Sequence, residues 1–139
     1  GLSDIEELTP QKVRKGVMHT YWALSFTINT NALKCTATEY AEAISAEGIP
    51  TAGPYLLTPD IGPLNKNPFL SKPDLYGKSI FPLDYNRETP FNYNETKLPY
   101  GNQLMSRNVN FNMTPNYSDD YIENIIEAHH KVANHYRSK

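Results

Sequence analysis

The side chains that can move protons, hold metals or attack carbon are few in this chain, and they are scattered. Of its four histidines, His19 lies early, in the run VMHTYW, while His129, His130 and His135 share one stretch near the end. None of the last three stands four residues from another, which is the spacing two ligands need to meet a metal on one helix face. A solvated helix face is therefore their expected role. Cys35 is the only cysteine; it permits no internal disulfide and reads as a buried, idle thiol, because a reactive thiolate needs an electropositive site. Glu39, Glu42 and Glu47 read as the polar face of their helix. The sequence holds no glycine-rich phosphate loop, no CxxC, no HExxH and no GxSxG.

What remains is a loose set. His19 and Tyr21 project from the face of an expected strand opposite Trp22 and Leu24. Tyr55 follows Pro54, where a stiff backbone can aim its phenol at a ligand. Arg107 carries a planar fork that holds both oxygens of a carboxylate or phosphate, or serves a salt bridge within the domain.

The elements that would position these groups follow from pattern. Val17 to Ile28 reads as a strand, with Trp22, Leu24, Phe26 and Ile28 alternating onto one face. Thr36-Ala37-Thr38-Glu39 fits a capping box for a helix that buries Tyr40, Ala41 and Ile44 and ends at Gly48. Ile49-Pro50-Thr51 leaves that helix, and an extended segment through Tyr55 is expected. Between 56 and 102, prolines recur and no period survives. Phe69, Tyr76, Phe81, Tyr85, Phe91, Tyr93 and Tyr100 predict an ordered excursion pinned by its rings. Residues 108–113 alternate as a half-buried strand. Ser118 caps a last helix whose stripe is Tyr121, Ile122, Ile125, Ile126, Val132, Ala133 and Tyr136. This order predicts one domain over 1–139, an α/β (α+β) sandwich with a small sheet of about three strands covered by helices. The Trp22 face should pack on the stripe of the last helix, with residues 109, 111 and 113 in the same sheet.

Composition bounds the rest. The chain has 139 residues, 39% hydrophobic and 20% charged, with a net charge of -2. That suits a folded domain and leaves no basic stripe for nucleic acid. The N-terminal run GLSDIEE is neither a signal peptide nor a membrane span, so no membrane partner and a cytoplasmic home are expected. The missing initial methionine points to a fragment.

The succession of segments resembles a known family. HTYW in a strand, then TATEYAEAISAEGIPT as a capped helix, the PYLLTP turn, the NPFL segment, LMSRNVNF and the amphipathic SDDYIENIIEAHHKVANHY follow one another as in the C-terminal small domain of DegT/StrS-type, pyridoxal-phosphate-dependent sugar aminotransferases of fold type I. The match runs from about Val17 to the C-terminus and rests on order more than on any one motif. Pro54-Tyr55 stands where members often have His-Tyr, and Phe111-Asn112 where many have Leu-Pro. The resemblance implies that the pyridoxal 5'-phosphate, its Schiff-base lysine and its phosphate ligands belong to a missing large domain. Phe69-Leu70-Ser71-Lys72 echoes the family's cofactor motif by coincidence. No cofactor is expected in this chain alone, and it should be inactive by itself. It further implies a homodimer partner and a sugar or cyclitol substrate contacted by His19, Tyr55 and Arg107, with the amino group drawn from glutamate or glutamine. The competing reading is a non-catalytic carbohydrate-binding or protein-interaction module, with Tyr76, Tyr85 and Tyr93 stacking on sugar rings.

Overall fold

A computed structural model describes residues 1–51, 53, 64–71, 77, 81, 85, 88 and 92–139. The chain divides into two compact units, Gly1–Tyr55 with Ser106–Lys139, and Leu56–Met105.

The first unit is built on an antiparallel sheet of three strands in the order β1-β2-β3, from β1 (Leu8–Pro10), β2 (Ala23–Ile28) and β3 (Asn108–Asn112). Leu8 pairs with Ile28 and Pro10 with Phe26, while Leu24 pairs with Phe111 and Phe26 with Val109. A short helix α1 (Thr30–Leu33) follows β2, capped by the Asn29 side chain. Then comes α2 (Ala37–Ala46), whose capping box is complete: the Glu39 amide donates to Thr36 Oγ1 at 3.1 Å, and the Thr36 amide donates to Glu39 Oε2 at 2.7 Å. Gly48 ends it with a φ of 91°, a conformation that costs a residue without a Cβ little.

The second unit contains α3 (Pro68–Ser71), α4 (Pro99–Met105) and single 3-10 turns at Leu64–Lys66 and Tyr93–Glu95. The longest helix, α5 (Asp119–Arg137), closes the first unit. It is capped by Ser118, with Asp119 and Asp120 in its first turn and His135 and Arg137 in its last, both favourable to the helix dipole.

Helices α2 and α5 share one core with the apolar face of the sheet. Phe26, Ile28, Val109 and Phe111 are buried together with Tyr40, Ala41, Ile44, Ile125, Val132 and Ala133. Each such aliphatic side chain contributes roughly 1.5–3 kcal/mol by leaving water. Two links join the ends of the unit to it: Arg137 forks onto the Glu7 carboxylate through Nε at 2.7 Å and Nη2 at 2.5 Å, and Lys131 reaches Glu47 at 2.6 Å.

Four expectations are corrected here. The strand does not begin at Val17: His19 accepts the Tyr21 amide and Tyr21 adopts a φ of 23°, which leaves ladder geometry until Ala23. Trp22 does not pack on α5 but is 70% exposed, while Phe26 and Ile28 on the same alternation are buried. The reason is that β1 pairs with β2 only as far as Pro10 opposite Phe26, and the chain then turns away, so the apolar layer stops short of Trp22. The third strand of the sheet is β1, and the described residues Ile49–Thr51 are not a strand. The two strands around Phe26 and Phe111 do lie side by side in one sheet. Among the described rings of the 56–102 excursion, Phe81, Tyr85 and Tyr100 are exposed rather than pinned, although Phe81 and Tyr85 touch edge to face at 5.7 Å; Tyr76 and Phe91 lie outside the described residues.

Candidate functional site

His19 sits on the loop that joins β1 to β2. The Gln11 amide holds the start of this loop by donating to Ser25 O at 3.2 Å. Its tip is a turn, Arg14 to Val17, closed by the Val17 amide on Arg14 O at 3.1 Å, with Gly16 at a φ of 80°, the third-position geometry of a type II turn. The His19 ring is exposed and stacks on Tyr21, centroids 4.1 Å apart. Its Nδ1 accepts from the Tyr21 amide at 3.0 Å, so a neutral ring carries its proton on Nε2. That nitrogen lies 2.9 Å from the Gln11 carboxamide, which must then turn its oxygen to the ring. Both ring nitrogens are thus engaged within the loop, and His19 holds the backbone of Tyr21 in its unusual conformation.

Arg107 stands at the opposite end of β2, immediately before β3. It is half-buried, and its carbonyl accepts from the Ile28 amide at 2.9 Å. That bond fixes where the guanidinium is launched. Tyr55 lies outside the described residues.

A concavity of about 580 Å³ lies along β3 and the end of α2, lined by Ser45, Gly48, Pro50, Thr51, Asn110, Phe111 and Asn112. Its hydroxyls serve the local turn: Ser45 Oγ donates to Thr51 O at 3.0 Å and accepts the Thr51 amide at 3.2 Å, and Thr51 Oγ1 donates to Ile49 O at 2.9 Å. Asn110 belongs to a polar ladder across the face of the sheet away from α5. Ser25 Oγ donates to Asn110 Oδ1 at 2.6 Å, Asn108 Nδ2 donates to Ser25 Oγ at 2.8 Å, and Asn110 Nδ2 donates to Asn108 Oδ1 at 2.5 Å. The described lining is uncharged, so it suits hydroxyl-rich ligands and offers no proton donor or acceptor for acid–base chemistry.

The most perturbed titratable group lies in the core. His129 is fully buried, contrary to its expected place on a solvated face. It stands four residues after Ile125 and three before Val132, inside the apolar stripe, so helical spacing carried the signal that residue type obscured. Its Nδ1 is 3.0 Å from the Tyr40 hydroxyl, and the Phe26 and Phe111 rings lie at 5.3 and 5.9 Å. Burial, helped by the neighbouring His130, holds His129 down at about 4. Burial, with smaller contributions from Cys35 and Glu7, also raises Tyr40, so the phenol keeps its proton and donates it to Nδ1. That leaves Nε2–H without a hydrogen-bond partner. The Tyr40–His129 bond is sequestered from any ligand and serves packing. Cys35 is buried as expected, and desolvation followed by the charge of Glu39 pushes its thiol up to about 11. Among the described residues no cluster of histidine, cysteine or acids is arranged to hold a metal ion, and no helix is long and apolar enough to cross a membrane. Compared with known proteins, the chain matches no protein-family model and no curated sequence.

Proposed function

We propose that this chain is the C-terminal small domain of a cytoplasmic, pyridoxal-phosphate-dependent aminotransferase that moves an amino group from glutamate or glutamine to a keto-sugar or keto-cyclitol. The observation that carries the reading is the realised order of elements. A strand, a capped helix, a separate compact unit over Leu56–Met105, a second strand and an amphipathic helix fold so that β2 and β3 pair directly and both helices share one core. Fold alone does not confer activity, so the assignment rests on this order together with the quoted segments.

The concavity beside β3 does not fit the cofactor. Its described lining has no lysine, no acid and no arginine, whereas the cofactor needs a lysine, a partner for its ring nitrogen and phosphate donors. The chain's share is therefore substrate contact. Arg107 would hold a carboxylate or phosphate and Tyr55 would add a phenol, while His19, at the other end of β2 with both ring nitrogens engaged, would act only by shaping its loop. The uncharged ladder of Asn108, Asn110 and Ser25 gives the sheet a second hydroxyl-matching face. A large domain carrying the cofactor lysine and a second subunit would complete the enzyme.

The test is direct. The reading frame upstream of Gly1 should encode a large domain with that lysine, and the full-length protein should aminate keto-sugars. A start codon at this position with no such domain would favour instead a carbohydrate-binding module, in which the exposed Tyr85 would stack on a sugar.

A further inference from the structure

The β1–β2 loop gathers charge of one sign. Three of the chain's 13 lysines and arginines, Lys12, Arg14 and Lys15, lie between Gln11 and Trp22, and none of its 15 acids does. All three cations are exposed, and no ion pair among the described residues involves them. The same loop presents the most exposed large apolar side chains of its unit: Val17 at 57%, Met18 at 89% and Trp22 at 70%. Apolar groups set together in water in this way mark a contact surface.

Charge and apolar surface share a shaped support. The Val17 amide closes the Arg14–Val17 turn, and the His19–Gln11 contact braces the loop behind it. Val17 and Met18 therefore leave the turn directly after Arg14 and Lys15. A side chain as exposed as Met18 stands clear of its surroundings, with no cradle in its own unit. A protein partner would have to supply a matching pocket for it. The boundary between the headgroups and acyl chains of a bilayer is fluid and receives a convex apolar tip of any shape. Tryptophan favours that same boundary, because its ring is apolar while its N–H can stay wet. Lysine and arginine stems lie along such apolar groups while their charged heads reach the lipid phosphates.

We propose that the β1–β2 loop docks this chain on an anionic lipid surface, with Val17, Met18 and Trp22 entering the headgroup boundary and Lys12, Arg14 and Lys15 lying among the phosphates. Such a loop lies on the bilayer and needs neither a signal peptide nor a span, the two features whose lack argues against a membrane partner. Among the described residues no helix is long and apolar enough to cross a membrane, which agrees with a contact confined to the surface. Near an anionic leaflet each cation strengthens binding about fivefold, so three give about a hundredfold preference over a neutral surface. The docking is weak and reversible, and the leaflet that faces a cytoplasm carries the anionic lipid it needs. It does not rest on the aminotransferase reading, and a chain that ignores lipid would leave that reading standing.

Co-sedimentation of the 139-residue chain with lipid vesicles tests it. Phosphatidylcholine vesicles containing about one-third phosphatidylserine should bind the chain about a hundredfold more tightly than phosphatidylcholine alone, and less so as salt rises. Emission from Trp22, the one tryptophan, should shift to the blue and be quenched by lipids brominated on their acyl chains. The variant K12E/R14E/K15E should lose the preference for anionic vesicles. Met18→Ser should weaken binding about tenfold without changing its salt dependence. Lys34→Glu, which reverses an exposed cation beyond the other end of β2, should leave binding nearly unchanged. All of these side chains are exposed, so each variant should keep the parent's circular dichroism. No binding to anionic vesicles, equal binding to neutral ones, or binding retained by the triple variant would each overturn the proposal. So would an unshifted Trp22 emission in the bound state, or capture by soluble polyglutamate in preference to anionic vesicles.

Discussion

Acidification should destabilise the first unit through His129, beginning at a pH where its carboxylates are still ionised. The ring is fully buried and held at about 4 in the folded state, against roughly 6.5 in an unfolded chain. A base whose folded pKa is depressed favours the unfolded state when it takes up a proton. Its contribution is therefore complete above about pH 6.5, falls as pH drops, and levels off below about pH 4. At about 1.4 kcal/mol per pKa unit, the full loss is roughly 3 kcal/mol, of which about 2 kcal/mol arrives between pH 7.5 and pH 5. Out of a total of roughly 5–15 kcal/mol, that is a large share. Urea unfolding followed by the helical circular dichroism signal would read it as a midpoint shift of about 1 M.

His129→Gln supplies the control, because the amide oxygen can still accept the Tyr40 hydroxyl but does not titrate. The variant will be less stable at neutral pH, having lost its ring contacts with Phe26 and Phe111. What matters is the slope with pH. The variant's midpoint should change far less than the parent's between the same two pH values. If both shift equally, the proton is taken up elsewhere, and His129 is either already solvated or already charged in the folded chain.

Other expectations follow from single contacts. Thr36→Ala removes the hydroxyl of the α2 capping box and should cost about 1 kcal/mol in urea melts, with Thr36→Ser restoring most of it. Cys35 should resist thiol reagents in the folded chain near neutral pH and react at once in denaturant, because its thiol is buried and raised to about 11. In the full-length protein, Arg107→Lys should raise KM for an acidic keto-sugar by about tenfold or more with kcat nearly unchanged, since the fork is lost and the charge kept. Borohydride with pyridoxal phosphate should label no single lysine of the isolated chain, Lys72 included; a specific adduct there would break the division of labour proposed above.

The elements that local rules describe completely were legible. Helices α2 and α5 announce themselves by cap, stripe and terminal charge, and β3 by strict alternation, because each of these signals comes from residues within one element. The elements settled by distant partners were not. β1 is three residues long and ends in Pro10, which has no amide to donate and is tolerated because the strand lies at the sheet edge; nothing in Leu-Thr-Pro marks a strand until β2 lies beside it. Trp22 continues the alternation in the sequence but stands one residue before β2 and faces solvent, because a period says neither where the strand begins nor how far the covering layer extends. Residue type argues for His129 on the solvated face, although its spacing puts it in the core.

The candidate site shows the same division more sharply. The pattern places His19 on a strand face, yet its ring keeps the chain out of the strand until Ala23, by taking the Tyr21 amide that a ladder would have used. Tyr21 then sits at a φ of 23°, a conformation that costs a non-glycine residue on the order of 1–3 kcal/mol unless its surroundings enforce it. Here the enforcing contacts are the amide on Nδ1, the ring stack and the Gln11 carboxamide. The strain and the exposed charge of the loop fall in one segment, next to the side chains that the core leaves in water. Consistency among local rules specifies the core; this loop departs from them at Tyr21, Met18 and Trp22 together. Tyr21→Gly relieves the strain and removes the ring stack on His19 together, so it should keep the fold while loosening the loop, read as faster amide exchange over residues 12–22 with an unchanged exchange rate in the core.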